Sequence, residues 1–472
     1  MTPIDTHSKS LLPWIIAFAF FMEMLDTTIL NTSVPIIAKS LGTLPLSMKS
    51  VLSSYALSLA IFIPISSWVA DKFGTRRVFT AAIGMFTTGS LLCGSATNLD
   101  ELIGFRLLQG VGGAMMIPVG RLIIVRTFHK SELVQTMSFI AIPSLIGPLL
   151  GPLAGGLIVS YLPWRFIFFI NVPIGLLGLY LANRHLPDYK KKNPDKLDVL
   201  GFILFGTGVG LLSYVLEVFG EHSLSSTQIL SLAATACLLL VGYALHAIPM
   251  ARPLLRFSLL HIRTLKIAVA GAFITRLAAG GLPFLLPLLF QVGLGYTPIQ
   301  SGLIIAPQAL GSLTLKFVIP KILTRIGYRR ILIYNTVAMG FLIHAYSWIG
   351  INTSWIWIVA LSLTYGFASS LQFTSMNTLV FADVKPDDTS QASTIVSTFQ
   401  QMSMSFGIAL SSLVAATFMP DGHHVDSAKF IQGIHSALAA LGGFTIVSAA
   451  IFSTLKATDG ADVSQHRSHG RS

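Results

Sequence analysis

Long apolar stretches separated by short polar connections run along almost the whole chain. The hydrocarbon core of a bilayer requires about 20 apolar residues per helix, and fourteen stretches approach or exceed that length. They lie at 12–35, 48–70, 78–97, 101–124, 136–159, 166–185, 198–218, 227–249, 267–291, 300–322, 331–350, 355–380, 391–418 and 432–455. The pattern therefore predicts an all-α polytopic membrane protein with fourteen transmembrane helices.

The composition excludes a soluble protein and argues against nucleic-acid binding. Of the 472 residues, 53% are hydrophobic and only 11% are charged, whereas a soluble domain typically has about 25% charged residues. The net charge of +12 comes from short basic runs between apolar stretches, and nucleic-acid binding would need a continuous basic face. Cys93 and Cys237 both fall in apolar stretches, so no disulfide framework is expected.

The distribution of Lys and Arg predicts the orientation in the membrane. Cytoplasmic loops carry an excess of these residues. Most of the 31 Lys and Arg residues lie in the connections on the side of the two termini, and the opposite connections hold only Lys39, Lys49, Arg165 and Lys429. We therefore expect both termini in the cytoplasm. The first helix has no small-residue cleavage site and is expected to be retained.

Two short turns indicate an internal repeat. The turn at 71–77 reads DKFGTRR and the turn at 324–330 reads TRIGYRR, and each follows the second span of a half if the chain is divided into six, two and six helices. Such repeats underlie many secondary transporters, whose substrate site lies near the midplane between the halves. The predicted domains are an N-terminal six-helix bundle at 1–185, a linker with two inserted helices at 186–262, a C-terminal six-helix bundle at 263–456 and a cytoplasmic tail at 457–472.

Two acids, Glu23 and Asp26, lie near the middle of the first span. A charge at the centre of a membrane helix costs about 2.5–3.5 kcal/mol on insertion scales. With Asn31, which is expected to line the cavity between the halves, they form one polar stripe along the helix. Because intramembrane acids usually serve function, proton coupling or substrate recognition is expected. A fixed structural pair with Arg106 is the alternative.

Two arginines also lie inside predicted spans. Arg106 shares a helix face with Gln109, three residues on, and needs either a partner or a watery cavity. Arg276 has no acid within a helical turn. We expect it to contact substrate or to pair with Glu23 or Asp26 across the cavity.

Other polar residues have weaker signals. Gln372 and Asn377 either line the cavity or form interhelical hydrogen bonds. Lys316 and Arg121 lie nearer the cytoplasm, where long side chains can reach the interface. The Asp and His residues of 421–426 are expected in a solvated external loop, so neither a metal nor a cofactor is predicted.

The segment at 67–77, SWVADKFGTRR, resembles the signature of the major facilitator superfamily between helices 2 and 3, with Ser67 where the family usually has Gly. Residues 102–114 resemble the family's helix 4 pattern. In the family the first element latches the outward-facing state, so the resemblance implies conformational control. The residues concerned are Asp71, Gly74, Arg76 and Arg77.

The segment at 147–157, GPLLGPLAGGL, matches the antiporter motif of the same superfamily. Glycines at four-residue spacing leave a groove where another helix can approach closely, and prolines bend the helix. Ordinary packing of small residues is the alternative interpretation. The residues concerned are Gly147, Pro148, Gly151, Pro152, Gly155 and Gly156.

The segment at 25–35, LDTTILNTSVP, resembles the first-helix signature of the 14-helix drug:proton antiporters, and 164–175 and 282–302 resemble that branch too. The resemblance covers essentially the whole chain. It implies the major facilitator fold, with two six-helix bundles plus two inserted helices. It also implies a proton-coupled antiporter, functional as a monomer, that exports drug-like or toxic molecules across the bacterial cytoplasmic membrane by alternating access. Any partner in the cell envelope is left open.

Alternatives of other classes have less support. The chain contains neither G-x-x-x-x-G-K-[ST] nor H-E-x-x-H, so no enzyme activity is expected. A passive channel should lack the repeat and the Gly/Pro groove. Within transporters, two buried acids suit a lipophilic cation. Arg106, Arg276 and Lys316 instead favour an anionic metabolite, such as a carboxylate or a siderophore-like metal chelate.

Overall fold

The computed structural model describes residues 6–219, 224–418 and 427–460. Within these ranges the chain is built from helices and turns, without a β-strand. It forms two compact units, the first from Met1–Phe202 with Thr297–Gly302 and the second from Ile203–Tyr296 with Leu303–Ser472. The domain boundaries proposed from the sequence stay a prediction.

The first unit holds nine α-helices and the start of a tenth. They are α1 (Thr6–Ile29), α2 (Val34–Ser40), α3 (Lys49–Phe62), α4 (Ser66–Phe73), α5 (Thr75–Ser95), α6 (Leu99–Thr127), α7 (Lys130–Tyr161), α8 (Phe166–Phe169), α9 (Asn171–His185) and α10 (Val199–Val218). Short 3₁₀ turns at Asn31–Ser33, Pro45–Met48 and Ile63–Ile65 connect some of them.

The second unit holds the remaining helices, apart from the start of α14 at 298–302. They are α11 (Ser226–Ala247), α12 (Arg263–Ala279), α13 (Leu282–Leu288), α14 (Pro298–Leu315), α15 (Ile319–Ile326), α16 (Tyr328–Ala345), α17 (Trp355–Leu379), α18 (Thr389–Thr417) and α19 (Ser427–Ser453). A π-helical turn, Leu289–Gly293, follows α13. Further 3₁₀ turns lie at Phe257–His261, Tyr346–Trp348 and Pro386–Asp388.

Helical segments occupy all fourteen predicted positions, and the all-helical membrane class is confirmed. In the described part of the chain, ten helices are long and apolar enough to cross a membrane. The number is eleven if Pro298–Leu315 and Ile319–Ile326, which meet at 64°, count as one bent span. The number of fourteen crossings therefore stays a prediction.

Several predicted spans are broken where proline interrupts the helical ladder. The turn Ile63–Ile65 contains Pro64, which has no backbone N–H to donate. In a bilayer, side chains must satisfy the carbonyls freed at such breaks. The carbonyl of Ile63 accepts from both the backbone N–H and the hydroxyl of Ser66, the hydroxyl at 2.7 Å. At the break after α1, the hydroxyl of Ser33 donates to the carbonyl of Ile29 at 3.2 Å.

Glycine allows α6 to pack against its neighbours at backbone distance. A Cβ at Gly112 would lie 2.6 Å from the backbone nitrogen of Phe86 on α5, and one at Gly110 would lie 2.6 Å from the Cβ of Ser58 on α3. These separations are shorter than normal van der Waals contact. Close approach through small residues is the usual way for helices to associate in a bilayer, and it fixes the distance from α6 to α3 and α5.

We predict opposite effects for two glycine substitutions on α6. Gly112→Ala should lower the thermal midpoint of the purified protein in detergent, because its methyl group meets backbone that cannot rotate away and overpacking costs about 1–3 kcal/mol. Gly104→Ala should leave the midpoint unchanged or raise it, since a Cβ there meets open space and alanine favours helix by about 1 kcal/mol. Equal midpoints for the two variants would contradict this account of the packing.

Candidate functional site

The polar stripe of α1 faces α6 through an ion pair in the interior of the first unit. The guanidinium of Arg106 donates to Asp26 Oδ2 through Nη1 at 2.6 Å. Each of these residues is only 1% exposed. The structure therefore contains the pair with Arg106, and the functional role expected for Asp26 stays a prediction.

The second oxygen of Asp26 is held by amide donors. Gln109 donates to Asp26 Oδ1 at 2.9 Å, and Asn171, at the start of α9, donates to the same oxygen at 2.8 Å. Both amides also donate to the hydroxyl of Ser90 on α5, at 2.6 and 3.3 Å. A further bond joins Arg106 Nη1 to Gln109 Oε1 at 2.6 Å. The carboxylate of Asp26 is thus fully committed to groups on α6 and α9.

Aromatic and backbone groups complete the surroundings of Arg106. Its guanidinium lies 4.3 Å from the ring centre of Tyr55 on α3, in cation–π geometry. Its Nε donates to the carbonyl of Val51 at 3.4 Å. The buried cation therefore has a counter-ion, a hydrogen-bond acceptor and an aromatic face, the conditions under which a buried charge is tolerated.

Glu23 differs from Asp26 although it lies less than one turn away. It is only 2% exposed, yet its Oε2 has no hydrogen-bond partner in the described part of the protein. The hydroxyl of Tyr55 and the Oδ1 of Asn171 are also buried and without a hydrogen-bond partner there. A buried polar atom left without a hydrogen-bond partner in a folded protein requires an explanation. Of the three atoms named here, only that of Glu23 belongs to a carboxylate.

Sequence reasoning did not select Asn171 and Ser90 as site residues. Asn171 is a single amide inside the apolar run FFINVPIG at 168–175, and such a residue in a span is a signal for an interhelical contact. Ser90 has no comparable signal, because serine is common in membrane helices. Asn31, predicted to line the cavity, is half-buried at the break after α1.

The predicted polar residues of the second unit form two separate groups. Gln372 on α17 donates to the hydroxyl of Thr336 at 2.6 Å and accepts from Asn335 at 2.9 Å, both on α16. It is fully buried in these interhelical bonds. Asn377, about one turn further along α17, accepts instead from Arg276 of α12 at 3.4 Å.

The turn between α4 and α5 is held by the segment that follows α9. Asp71 accepts from Arg126 and from Lys191, both at 2.6 Å. Asp188 accepts from the backbone N–H of Arg76 at 3.1 Å and lies 3.9 Å from the Nε of Arg77. The start of the region predicted at 186–262 as the linker with two inserted helices therefore packs against this turn, through residues 187–191.

Glycine is required at the turn itself. Gly74 adopts a φ of +100°, a conformation that side chains disfavour, and a Cβ there would collide with the carboxylate of Asp188. The corresponding turn in the second unit has Gly327 at a φ of +80°. There the segment after α19 lies close to the turn, since a Cβ at Gly460 would collide with the ring of Tyr328. The sequence repeat thus has a structural counterpart in each unit.

The glycine-rich face of α7 packs directly against α1. A Cβ at Gly147 would lie 2.9 Å from the backbone nitrogen of Leu25, and one at Gly155 would collide with the carbonyl of Ile29. Gly151 likewise abuts Thr28, whose hydroxyl donates to the carbonyl of Gly147 at 3.2 Å.

The prolines and the last glycine of this motif make related contacts. The carbonyl of Pro152 accepts from the hydroxyl of Thr32 at 3.2 Å. Gly156 packs against the carbonyl of Pro298, at the start of α14 in the same unit. Pro148 and Pro152 both lie inside α7, which stays one continuous helix. The groove predicted for α7 is therefore filled by the helix that carries Glu23 and Asp26.

The remaining sequence predictions can be placed briefly. Lys316 and Arg121 are exposed. No group of three or more potential metal-ligating side chains occurs in the ranges that the structure describes. The Asp and His residues of 421–426 lie outside the described residues.

Comparison with known proteins identifies relatives along most of the chain. The family model of the Major Facilitator Superfamily matches residues 16–408. MdtD of Serratia proteamaculans, named as a candidate multidrug resistance protein, is 38% identical over 428 residues, covering 90% of this chain and 88% of the relative. MdtD of Escherichia fergusonii is 39% identical over 415 residues, covering 88% of each.

Solved structures share the fold. A POT family transporter in complex with a thioalcohol-conjugated peptide has a TM-score of 0.69 at 14% identity, covering 94% of each chain. A D-xylose–proton symporter has a TM-score of 0.66 at 14% identity, covering 95% of this chain and 98% of the other. These structures agree with the predicted fold class, and the family model with the MdtD relatives confirms the prediction of a transporter rather than an enzyme.

We predict that the Asp26–Arg106 pair is sensitive to the loss of one partner. Asp26→Asn should lower the free energy of unfolding by about 3–5 kcal/mol, because Arg106 is left as an uncompensated buried charge. Adding Arg106→Gln to that variant should restore much of the loss, since neither charge then remains. Thermal melting of the detergent-purified variants measures both effects.

The control for this prediction is an exposed ion pair in the second unit. Arg256 Nη1 lies 2.7 Å from Asp388 Oδ1, and the arginine side chain is 45% exposed. Asp388→Asn should cost less than about 1 kcal/mol, as is usual for surface pairs. A melting temperature for Asp26→Asn no lower than that of Asp388→Asn would contradict the prediction.

Proposed function

Because the chain belongs to the major facilitator superfamily, we propose that it is a proton-coupled antiporter that exports small drug-like or toxic molecules. Transporters of this family carry small molecules across membranes. The MdtD relatives, which are named for multidrug resistance, support the choice of cargo. We place it in the bacterial cytoplasmic membrane with both termini in the cytoplasm, on the basis of its Lys and Arg distribution.

The proposal of proton coupling rests on the contrast between the two acids of α1. Asp26 has a cation on one oxygen and two amides on the other, so changing its protonation would break several buried bonds. Glu23 has an oxygen without a hydrogen-bond partner in the described protein. It can gain or lose a proton when water reaches it without disrupting the pair. We therefore assign the transported proton to Glu23 and a positioning role to Asp26 and Arg106.

The conformational change is proposed to be alternating access. The turn at 71–77 supports this, because its hydrogen bonds to residues 187–191 hold one end of the first unit together. The groove of α7 supports it too, since any motion of α7 is passed through backbone contact to α1 and so to Glu23. One proton moving through 100 mV supplies about 2.3 kcal/mol, which corresponds to a cargo gradient of about 50-fold.

A passive channel is the alternative from another functional class. It would give flux that neither saturates nor depends on a proton gradient. A screen of dye and metabolite efflux, comparing cells with and without the protein, identifies a cargo. Repeating it with an uncoupler then distinguishes the two classes, because antiport should stop and channel flux should continue.

We predict that Glu23→Gln abolishes coupling while leaving the protein folded. In inverted vesicles, adding the cargo found in the screen should cause proton release in the wild type and none in Glu23→Gln. The melting temperature should be unchanged or higher, since the variant removes a buried carboxylate that has one oxygen without a hydrogen-bond partner. Asp387→Asn, which removes an exposed acid, should release protons like the wild type. Full proton release by Glu23→Gln would rule out Glu23 as the coupling residue.

A further inference from the structure

A second buried arginine, Arg276, has an environment opposite to that of Arg106. It lies inside the apolar segment Arg263–Gly293 and is 6% exposed. In the part of the chain that the structure describes, no carboxylate lies within ion-pair distance of it. Arg106, which is comparably buried, has Asp26 at 2.6 Å. The same cation is therefore neutralised in one unit and left without a counter-ion in the other.

The hydrogen bonds of Arg276 leave most of its donors uncommitted. A guanidinium has five N–H donors. The one side-chain hydrogen bond of Arg276 within the described residues joins its Nη2 to Asn377 Oδ1, at the long distance of 3.4 Å. The guanidinium carbon lies 4.7 Å from the ring centre of Phe373, in cation–π geometry. Most of the N–H donors of this guanidinium therefore have no acceptor among the described residues.

A small cavity lies beside this guanidinium. Its volume is about 10 Å³, which is room for about one water molecule. Among the residues that line it are Arg276, Asn377, Gln400, Phe273 and Phe399, and its other walls are apolar. Both amides can donate a hydrogen bond into the cavity, and no acid lines it. The space is positively charged, offers several donors and is otherwise apolar.

We propose that Arg276, with the amides of Asn377 and Gln400, binds an oxyanion, and that this oxyanion is a carboxylate of the exported molecule. A planar guanidinium matches a carboxylate with two parallel hydrogen bonds. The cavity has room for about one water molecule, so it can take one oxygen of the carboxylate, and the body of the cargo lies outside it. This inference rests on the proposed export function and narrows it to molecules that carry a negative charge.

The proposal is tested by binding to the purified full-length protein in detergent, without a proton gradient. The probes are salicylate and 2-naphthoate, each paired with its uncharged amide, and inorganic phosphate. The wild type should bind at least one of the acids at least tenfold more tightly than the uncharged derivative of that acid. Arg276→Gln should weaken that binding at least tenfold, and Arg276→Lys should weaken it less, because it keeps the charge but loses the planar guanidinium.

Two controls separate binding from folding. Lys266→Gln removes an exposed positive charge from the same helix and should leave the affinity for the acids unchanged. Arg276→Gln should melt no lower than the wild type, since it removes an unpaired buried charge. A marked fall in its melting temperature would show a structural role and overturn the proposal.

Other outcomes also decide the matter. If no acid binds the wild type, if acid and partner bind equally, or if Arg276→Gln binds the acid normally, the subsite does not exist. If phosphate alone shows dependence on Arg276, the assignment to a carboxylate of the cargo is overturned. Acid binding that depends on Arg276, with efflux that persists under an uncoupler, would reject proton antiport but leave the subsite. If the efflux is proton-coupled but carries only cations and is unaffected by Arg276→Gln, the carboxylate subsite is rejected and proton antiport is retained.

Discussion

The ion pair between Asp26 and Arg106 is the constraint on which the first unit depends. Two opposite charges in an apolar interior are tolerated only when they touch and when their remaining hydrogen-bonding groups are satisfied. Here the carboxylate takes bonds from α6 and α9, and the amides continue to Ser90 on α5. One charged group therefore fixes how four helices stand relative to one another.

Such a network can form only if the helices approach closely, and glycine makes this possible. Gly110 and Gly112 bring α6 to backbone distance from α3 and α5, and the glycine face of α7 does the same for α1. Without hydrophobic driving force between helices in lipid, packing and polar contacts hold them together. The motif residues of α7 and the acids of α1 thus belong to one mechanical assembly. In the proposed mechanism, this assembly links conformational change to proton transfer.

The two buried arginines show how identical side chains serve different purposes. Arg106 is neutralised, bonded and stacked, so its environment is complete without a ligand. Arg276 is stacked but not neutralised by the described residues, and a cavity adjoins it. Glu23 is the matching case among acids, buried with an oxygen that lacks a partner. In the proposed mechanism the proton binds Glu23 and the cargo binds Arg276, the two buried side chains whose hydrogen-bonding groups are only partly satisfied by the described residues.

The sequence by itself determined the helical membrane class and the positions of the helical segments, because hydrophobic length is a local property of the chain. It also located the buried charges and the glycine motifs. Only the tertiary structure decided that Asp26 pairs with Arg106, that Asn171 joins them and that residues 187–191 pack on the turn at Gly74. Those contacts depend on the rotation and depth of each helix relative to its neighbours. Packing across the whole unit sets these two quantities, and no single stretch of sequence contains them.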